Sequence, residues 1–230
     1  LENGRWLEAR TASFSSGFKY HDIEPFITSD GNRIFFVSNR PDPDNGRTEE
    51  NWDIWASDRE DGSWGKPYNL GAPVNSGSDE YFPSVTRDGT IYFTRLQEDT
   101  RENFIFRCRL ENGQYQEAEK LDENVNCGRG RFNAFVAPDE SFIIVPAVGG
   151  KDSLGGADYY IVFRKEDGQW SSPLNMGEEI NSPTGQEWSA SMSPDGEFLF
   201  FMKSLRASSF EEFPVDVESI KRIAMSPENG

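Results

Sequence analysis

The chain has 230 residues, with 40 acidic against 23 basic side chains and a formal net charge of −17. Grip on a nucleic-acid backbone needs clustered Lys and Arg to displace counterions, so that partner is disfavoured, and an anionic membrane surface with it. No run of about 18 apolar residues supplies a spanning helix, and the length suits one sizeable core.

In chain order, residues 3–14 predict an outermost strand whose hairpin partner is absent. Residues 22–30 predict an innermost strand, with 34–38 beside it. Residues 41–50 are a polar insertion; Asp42, Asp44 and Gly46 match a calcium loop only in part, and a solvated loop is the reading. The clearest unit follows at 51–93: four short strands with Asp-Gly turns at Asp61-Gly62 and Asp88-Gly89. Such dipeptides accept positive φ and are strong hairpin signals between apolar runs. The hairpin recurs at 103–110 and 115–121 around Asn112-Gly113, and an inner pair follows at 132–137 and 142–145, where Glu140 replaces the turn glycine. The glycine-rich loop 149–157 lacks the Lys-Ser/Thr of a phosphate cradle. Strands at 159–164, 170–176, 188–192 and 198–202 complete the regular part, and 213–223 degenerates toward a possible short helix.

Two motifs repeat in step. Trp6, Trp64, Tyr115 and Trp170 each close an Asn-Gly or Asp-Gly turn, at intervals of 58 (64 − 6), 51 (115 − 64) and 55 (170 − 115) residues. The turn aspartates Asp30, Asp88, Asp139 and Asp195 keep nearly the same intervals. A repeat of this length with four strands per unit predicts propeller blades. The expected fold is therefore all-β: a propeller of four-stranded antiparallel blades, four of them in this chain. The whole of 1–230 is one domain in this reading, with units at about 15–71, 72–121, 122–177 and 178–223 besides the outer strand 3–14.

Cys127 stands where the other units carry Ser76 and Ser182, and Cys108 alternates with Phe104 and Phe106 on one strand face. Both are expected as free thiols rather than a bridge. The repeated Trp and Tyr of the turns are read as packing. Trp52 and Trp55 fall on opposite faces of one strand, one in the core and one available to solvent or a partner.

In a propeller the innermost strand of each blade lines the axis, so its polar positions are the candidate site. Eight residues before the turn aspartates stand Asp22, Glu80, Arg131 and Glu187; six before stand Glu24, Phe82, Asn133 and Ser189. Between them lie Ile23, Tyr81, Phe132 and Trp188, an apolar face packed between blades. By strict alternation the acidic set points to the channel or its mouth. Asp22, Glu24, Glu80, Arg131, Asn133 and Glu187 are thus the candidate ligand contacts, suited to a cation or a polyhydroxylated ligand, with a solvated acidic rim as the alternative. Two carboxylates across a channel would also meet the minimum for glycoside hydrolysis. His21 is the single histidine, which leaves no multi-His zinc site, and no G-x-S-x-G elbow exists. No metal and no cofactor is implied. Six arginines between Arg95 and Arg131 form one basic region, read as charge balance.

The turns VTRDGTIYFT and MSPDGEFLFF, with NWDIWAS, YYIVF and the DG-x-W hairpins, resemble the TolB-type, WD-repeat-like β-propeller family over most of the chain. The Ser-Pro-Asp-Gly form is intact only at residues 193–196. The resemblance implies an exported bacterial protein, periplasmic or envelope-associated, that binds a protein or carbohydrate partner; any signal peptide is removed or not included. Propellers of this kind also occur in peptidases and sugar-acting enzymes. The family's blade number exceeds four, so an incomplete five-bladed ring is preferred over a four-bladed ring closed by the N-terminal strand. Open strand edges would then favour self-association. The functional reading is a non-catalytic binding or scaffold module of the cell envelope; the alternative is a carbohydrate-active enzyme, a glycoside hydrolase or lyase, using channel carboxylates.

Overall fold

The computed structural model of the chain describes residues 8, 10–15, 17, 19–42, 51–97, 99–193, 195–204 and 215–216. The described residues are all-β and contain no helix, hence none that could cross a membrane. The expected outer strand 3–14, the insertion 41–50, the end 213–223 and any pairing between the two chain ends lie wholly or largely outside them.

Blade one holds β1 (Asp22–Ile27), β2 (Arg33–Ser38), β3 (Asp53–Glu60) and the short outer pieces β4 (Ser63–Trp64) and β5 (Tyr68–Asn69). Blade two holds β6 (Glu80–Val85), β7 (Ile91–Gln97) and β8 (Glu102–Cys108), the hairpin β9 (Leu110–Glu111) and β10 (Gln114–Tyr115), and outer β11 (Glu119–Lys120). In blade three the inner strand is split into β12 (Gly130–Arg131) and β13 (Phe135–Val136), followed by β14 (Phe142–Val148), β15 (Ala157–Phe163) and β16 (Leu174–Asn175). Blade four shows β17 (Gln186–Met192), β18 (Phe198–Ser204) and β19 (Val215–Asp216). All pairings are antiparallel, and the inner strands β1, β6, β13 and β17 abut one another in chain order. This is the propeller arrangement that the repeat predicts.

The core lies between blades rather than within one. Phe35 and Val37 of blade one meet Val85, Ile91 and Phe93 of blade two. Tyr92 and Ile105 meet Ala134, Val136 and Ile143 across the next joint, and Ile144 and Tyr159 meet Leu199 across the third. A sheet with apolar side chains on both faces can bury both only by stacking. Phe26 of β1 packs against the first and the third of these clusters, so they converge at the axis.

Three buried asparagines hold the loops between blades to the sheets. Asn75 Nδ2 donates to the Ile54 carbonyl (2.8 Å) while its Oδ1 accepts from Ile54 N–H (2.8 Å). Asn126 does the same for Ile105, and Asn181 for Tyr159. Each amide mimics one residue of a fourth strand, which satisfies backbone groups that burial would otherwise leave unpaired. The Asp-Gly and Asn-Gly hairpins take the expected positive φ at Asp61 and Gly62 and at Asn112 and Gly113. Glu140 adopts φ 58° in place of glycine, and its Oε1 accepts from the Tyr92 hydroxyl at 2.6 Å.

Both cysteines are free and buried, as their columns predict, and burial pushes the Cys108 thiol up to about 12. Trp55 is buried beneath the Arg40 guanidinium, 5.3 Å from its ring, whereas Trp52 is half-buried beside blade two.

Candidate functional site

Every inner strand carries the same irregularity. The register of β1 slips between Ile23 and Phe26, that of β6 between Tyr81 and Ser84, and that of β17 between Trp188 and Ser191. In each, one extra residue is accommodated by a left-handed backbone: φ is 55° at Glu24, 55° at Phe82 and 59° at Ser189. Blade three breaks between β12 and β13 at the matching Asn133. A non-glycine residue held there costs about 1–3 kcal/mol, and bulges re-aim side chains. Here the bulge residues reach from blade to blade. Glu24 Oε2 accepts from Phe82 N–H at 2.8 Å, and Asn133 Nδ2 donates to Ser189 Oγ at 2.8 Å.

The positions two residues earlier are placed differently. Glu80 is fully buried, accepting from Ser76 N–H (3.1 Å), Ser76 Oγ (2.5 Å) and Arg95 Nε (2.7 Å). Arg131 is buried and its Nε donates to the Asn126 (3.0 Å) and Cys127 (2.9 Å) carbonyls, with a further bond to the Gly128 carbonyl. Glu187 is fully buried, accepts from Ser182 Oγ at 3.0 Å, and leaves Oε2 without a partner among the described residues. Asp22 pairs with Arg40. Thus four of the six candidates from the sequence clamp loops or neighbouring side chains, while Glu24 and Asn133 meet the axis.

The electrostatics follow from burial. Desolvation pushes Glu24 up to about 7, opposed by the Phe82 N–H bond, and among the described residues no cation pairs with it. Desolvation likewise raises Glu80 and Glu187 to about 7, against the pull of Ser76 and Arg95 in one case and Ser182 in the other. Arg131 is lowered by its own burial.

Half-buried aromatic rings accompany the bulge residues, and the sequence reading placed three of them wholly between blades. Rings step from His21 to Trp52 (6.0 Å), Trp52 to Tyr81 (6.1 Å) and Tyr81 to Phe82 (6.0 Å). Phe132 meets Trp188 edge-on at 4.6 Å at the matching level of blades three and four. Two polar links thus join neighbouring inner strands, Glu24 to Phe82 and Asn133 to Ser189, each beside its own group of rings. Pro25 and Pro83 directly follow the bulge residues Glu24 and Phe82, a local bulge signal that alternation alone overlooks, whereas Asn133 and Ser189 have no such neighbour.

Other candidates resolve simply. The N–H groups of Leu154 and Gly155 in the glycine-rich loop donate to Asp158 (2.5 and 3.2 Å), so that loop is filled by a carboxylate of its own blade. His21 is exposed, its N–H bonded to Asn39 Oδ1. Arg107 pairs with Glu119 at 3.0 Å. Among the described residues no cluster of three or more His, Cys, Asp or Glu could hold a metal ion.

No family model and no curated protein matches the chain. Solved structures are similar at low identity. TolB from Acinetobacter baumannii shares 17% identity at a TM-score of 0.46, over 76% of this chain and 36% of its own. A chain from a study of two prolyl endopeptidases shares 13% at 0.48, over 80% and 23%. A periplasmic gluconolactonase of Pseudomonas aeruginosa shares 14% at 0.39, over 80% and 50%. The chain thus spans half or less of the length of each of these structures.

Proposed function

We propose that the protein is a non-catalytic binding or scaffold module of a bacterial cell envelope, and that its protein or glycan partner is met at the axial centre around Glu24, Asn133 and Ser189. The observation that carries this reading is the state of the carboxylates. Glycoside hydrolysis needs two of them free to face the scissile bond. Glu80 and Glu187 are fully buried and bonded to their own blade loops, and Asp22 pairs with Arg40. Glu24 remains alone. One carboxylate with an amide, a hydroxyl and half-buried rings suits recognition of a polyhydroxylated ligand, in which aromatic faces cover the apolar side of a sugar and polar groups fix its hydroxyls. The envelope location rests on the family resemblance of the turn motifs.

Screening against glycan and peptide arrays should find a ligand. Glu24→Gln and Asn133→Ala should each weaken it about tenfold, roughly 1.4 kcal/mol, with thermal stability close to that of the wild type. Turnover of a bound glycan that disappears in Glu24→Gln would favour the enzyme instead, and a screen without any ligand would sink the proposal.

A further inference from the structure

Twice in this chain a guanidinium lies between a carboxylate and aromatic rings. In blade one, Arg40 pairs with Asp22 and lies over the Phe36 and Trp55 rings, 5.3 Å from each. In blade two, Arg95 Nε donates to Glu80 at 2.7 Å, and its guanidinium lies over Phe93 (5.2 Å) and Phe106 (4.9 Å). The carboxylate takes the charge and the N–H groups, while the negative ring faces take the flat side of the cation. Both stacks are built on the inner-strand position eight residues before a turn aspartate.

Two residues further along β1, Glu24 has the same surroundings without the cation. Its Oε2 accepts from Phe82 N–H at 2.8 Å, and its Oε1 takes no hydrogen bond from any described residue. Beside that link the Tyr81 and Phe82 rings stand 6.0 Å apart, and Trp52 continues the row 6.1 Å beyond Tyr81. Glu24 and all three rings are partly buried, so each keeps some exposed surface. Among the described residues no Lys or Arg pairs with Glu24 or lies over these rings. A carboxylate drawn out of water on one hydrogen bond is short of partners, and an incoming cation would supply them.

We propose that an arginine side chain of a protein partner takes this place, its guanidinium donating to Glu24 and lying against the Tyr81 and Phe82 rings. The inference rests on the reading of Glu24 as part of a binding site and chooses the protein among its partner classes. A guanidinium fits better than an ammonium, because its edge carries forked N–H groups and its faces stack on rings. It fits better than a sugar, whose hydroxyls leave the Glu24 charge unneutralised. The net charge of −17 draws a basic partner and repels an acidic one.

Chemical-shift titration of the full chain tests this with a Gly-Arg-Gly peptide capped at both ends, its citrulline counterpart and a neutral maltooligosaccharide. The arginine peptide should move the Phe82 amide signal, and less so as salt screens the pair. The citrulline peptide has the same shape without the charge and should bind about tenfold more weakly, the scale of one charge-assisted hydrogen bond. Glu24→Gln keeps an acceptor for Phe82 N–H and should erase the preference for arginine over citrulline. Tyr81→Leu should weaken the arginine peptide and serves if the first variant fails to fold. Equal binding of the two peptides, or a preference that survives Glu24→Gln, overturns the inference. A maltooligosaccharide that moves the Phe82 amide where the arginine peptide does not also overturns it, while leaving the binding reading in place. A chain that takes none of the three probes overturns the arginine site, and an empty glycan and peptide screen sinks the binding reading as well.

Discussion

Two clamps at the same place in neighbouring blades carry opposite charge. In blade two, Ser76 turns its N–H and hydroxyl toward Glu80, which accepts both. In blade three, Asn126, Cys127 and Gly128 turn carbonyl oxygens toward Arg131, which donates to all three. The loops differ at one hinge. Gly128 sits at φ +69°, where an added Cβ would lie 2.6 Å from the Val148 carbonyl, whereas Gly77 has open space around it. A loop twisted one way offers donors and the other way acceptors. The side chain beneath takes whichever charge completes the bonds. The charge at this position therefore follows the loop's backbone.

Removing a clamp should break the comparison most visibly in blade three. Arg131→Met leaves three carbonyls beneath the loop without a donor, at about 1–3 kcal/mol for each group that water does not reach. A loss of about 3 kcal/mol in urea unfolding is expected. Arg131→Glu should be worse, because a carboxylate then faces those oxygens. Adding Cys127→Ser restores a hydroxyl donor of the blade-two kind and should recover about 1 kcal/mol, which a double-mutant cycle would resolve. A loss below about 1 kcal/mol for Arg131→Met would mean that the loop simply relaxes.

Glu80 and Glu187 sharpen the comparison at constant charge. Glu80 is matched across the strand by Arg95, whose Nη2 also holds the Pro73 and Val74 carbonyls (3.1 and 3.0 Å). Glu187 is matched by Lys203, whose Nζ instead lies 3.5 Å from the Asn181 carbonyl, and Glu187 Oε2 stays bare. Glu80→Gln weakens an ion pair in a buried setting and should cost about 1–3 kcal/mol at pH 8. Glu187→Gln removes an ionisation that burial already opposes and should change stability by less than about 1 kcal/mol, in either direction. Equal losses would show that the cross-strand cation makes no difference.

The blades were legible because a hairpin needs residues that tolerate positive φ, and those are few: Asp61-Gly62 and Asn112-Gly113 announce themselves. The packing between blades was legible too, since Phe35, Phe93 and Ile144 fall on the alternation of their strands. The site was less so. Counting back in twos from the turn aspartates assigned Glu80 and Phe82 to one environment. The bulge at Phe82 inserts a residue, and alternation does not survive an insertion. Glu24, Phe82 and Ser189 adopt a left-handed backbone without being glycine, and only the prolines after the first two, Pro25 and Pro83, marked the slip. Nor did composition reveal Asn75, Asn126 and Asn181 as strand mimics; their column was visible, their bonds were not.

The smallest expected effect is in the pH profile, and it again separates the clamps. Burial raises Glu24, Glu80 and Glu187 from 4.5 to about 7. Between those values the folded chain keeps protons that the unfolded chain releases, so stability falls as pH rises through that window. The turn aspartates Asp30, Asp88, Asp139 and Asp195 behave oppositely. Hydrogen bonds from Thr28, Thr86, Ser141 and Ser193 hold them below 3.8, so what they contribute is present above that value and lost as pH falls further. Maximum stability is expected near the gap between, at about pH 4–5. The net charge of −17 also destabilises the fold at high pH, but about 1 M salt shortens electrostatic reach to about 3 Å and removes most of that term. In such salt the midpoint of thermal unfolding should still be a few degrees higher at pH 5 than at pH 8, at roughly 2–4 °C per kcal/mol for a chain of this size. Glu187→Gln should flatten the slope, because its carboxylate makes no ion pair and the nearby Lys203 charge offsets burial only in part. A profile in high salt that is level between pH 5 and pH 8 would show that the buried carboxylates titrate as they do in water.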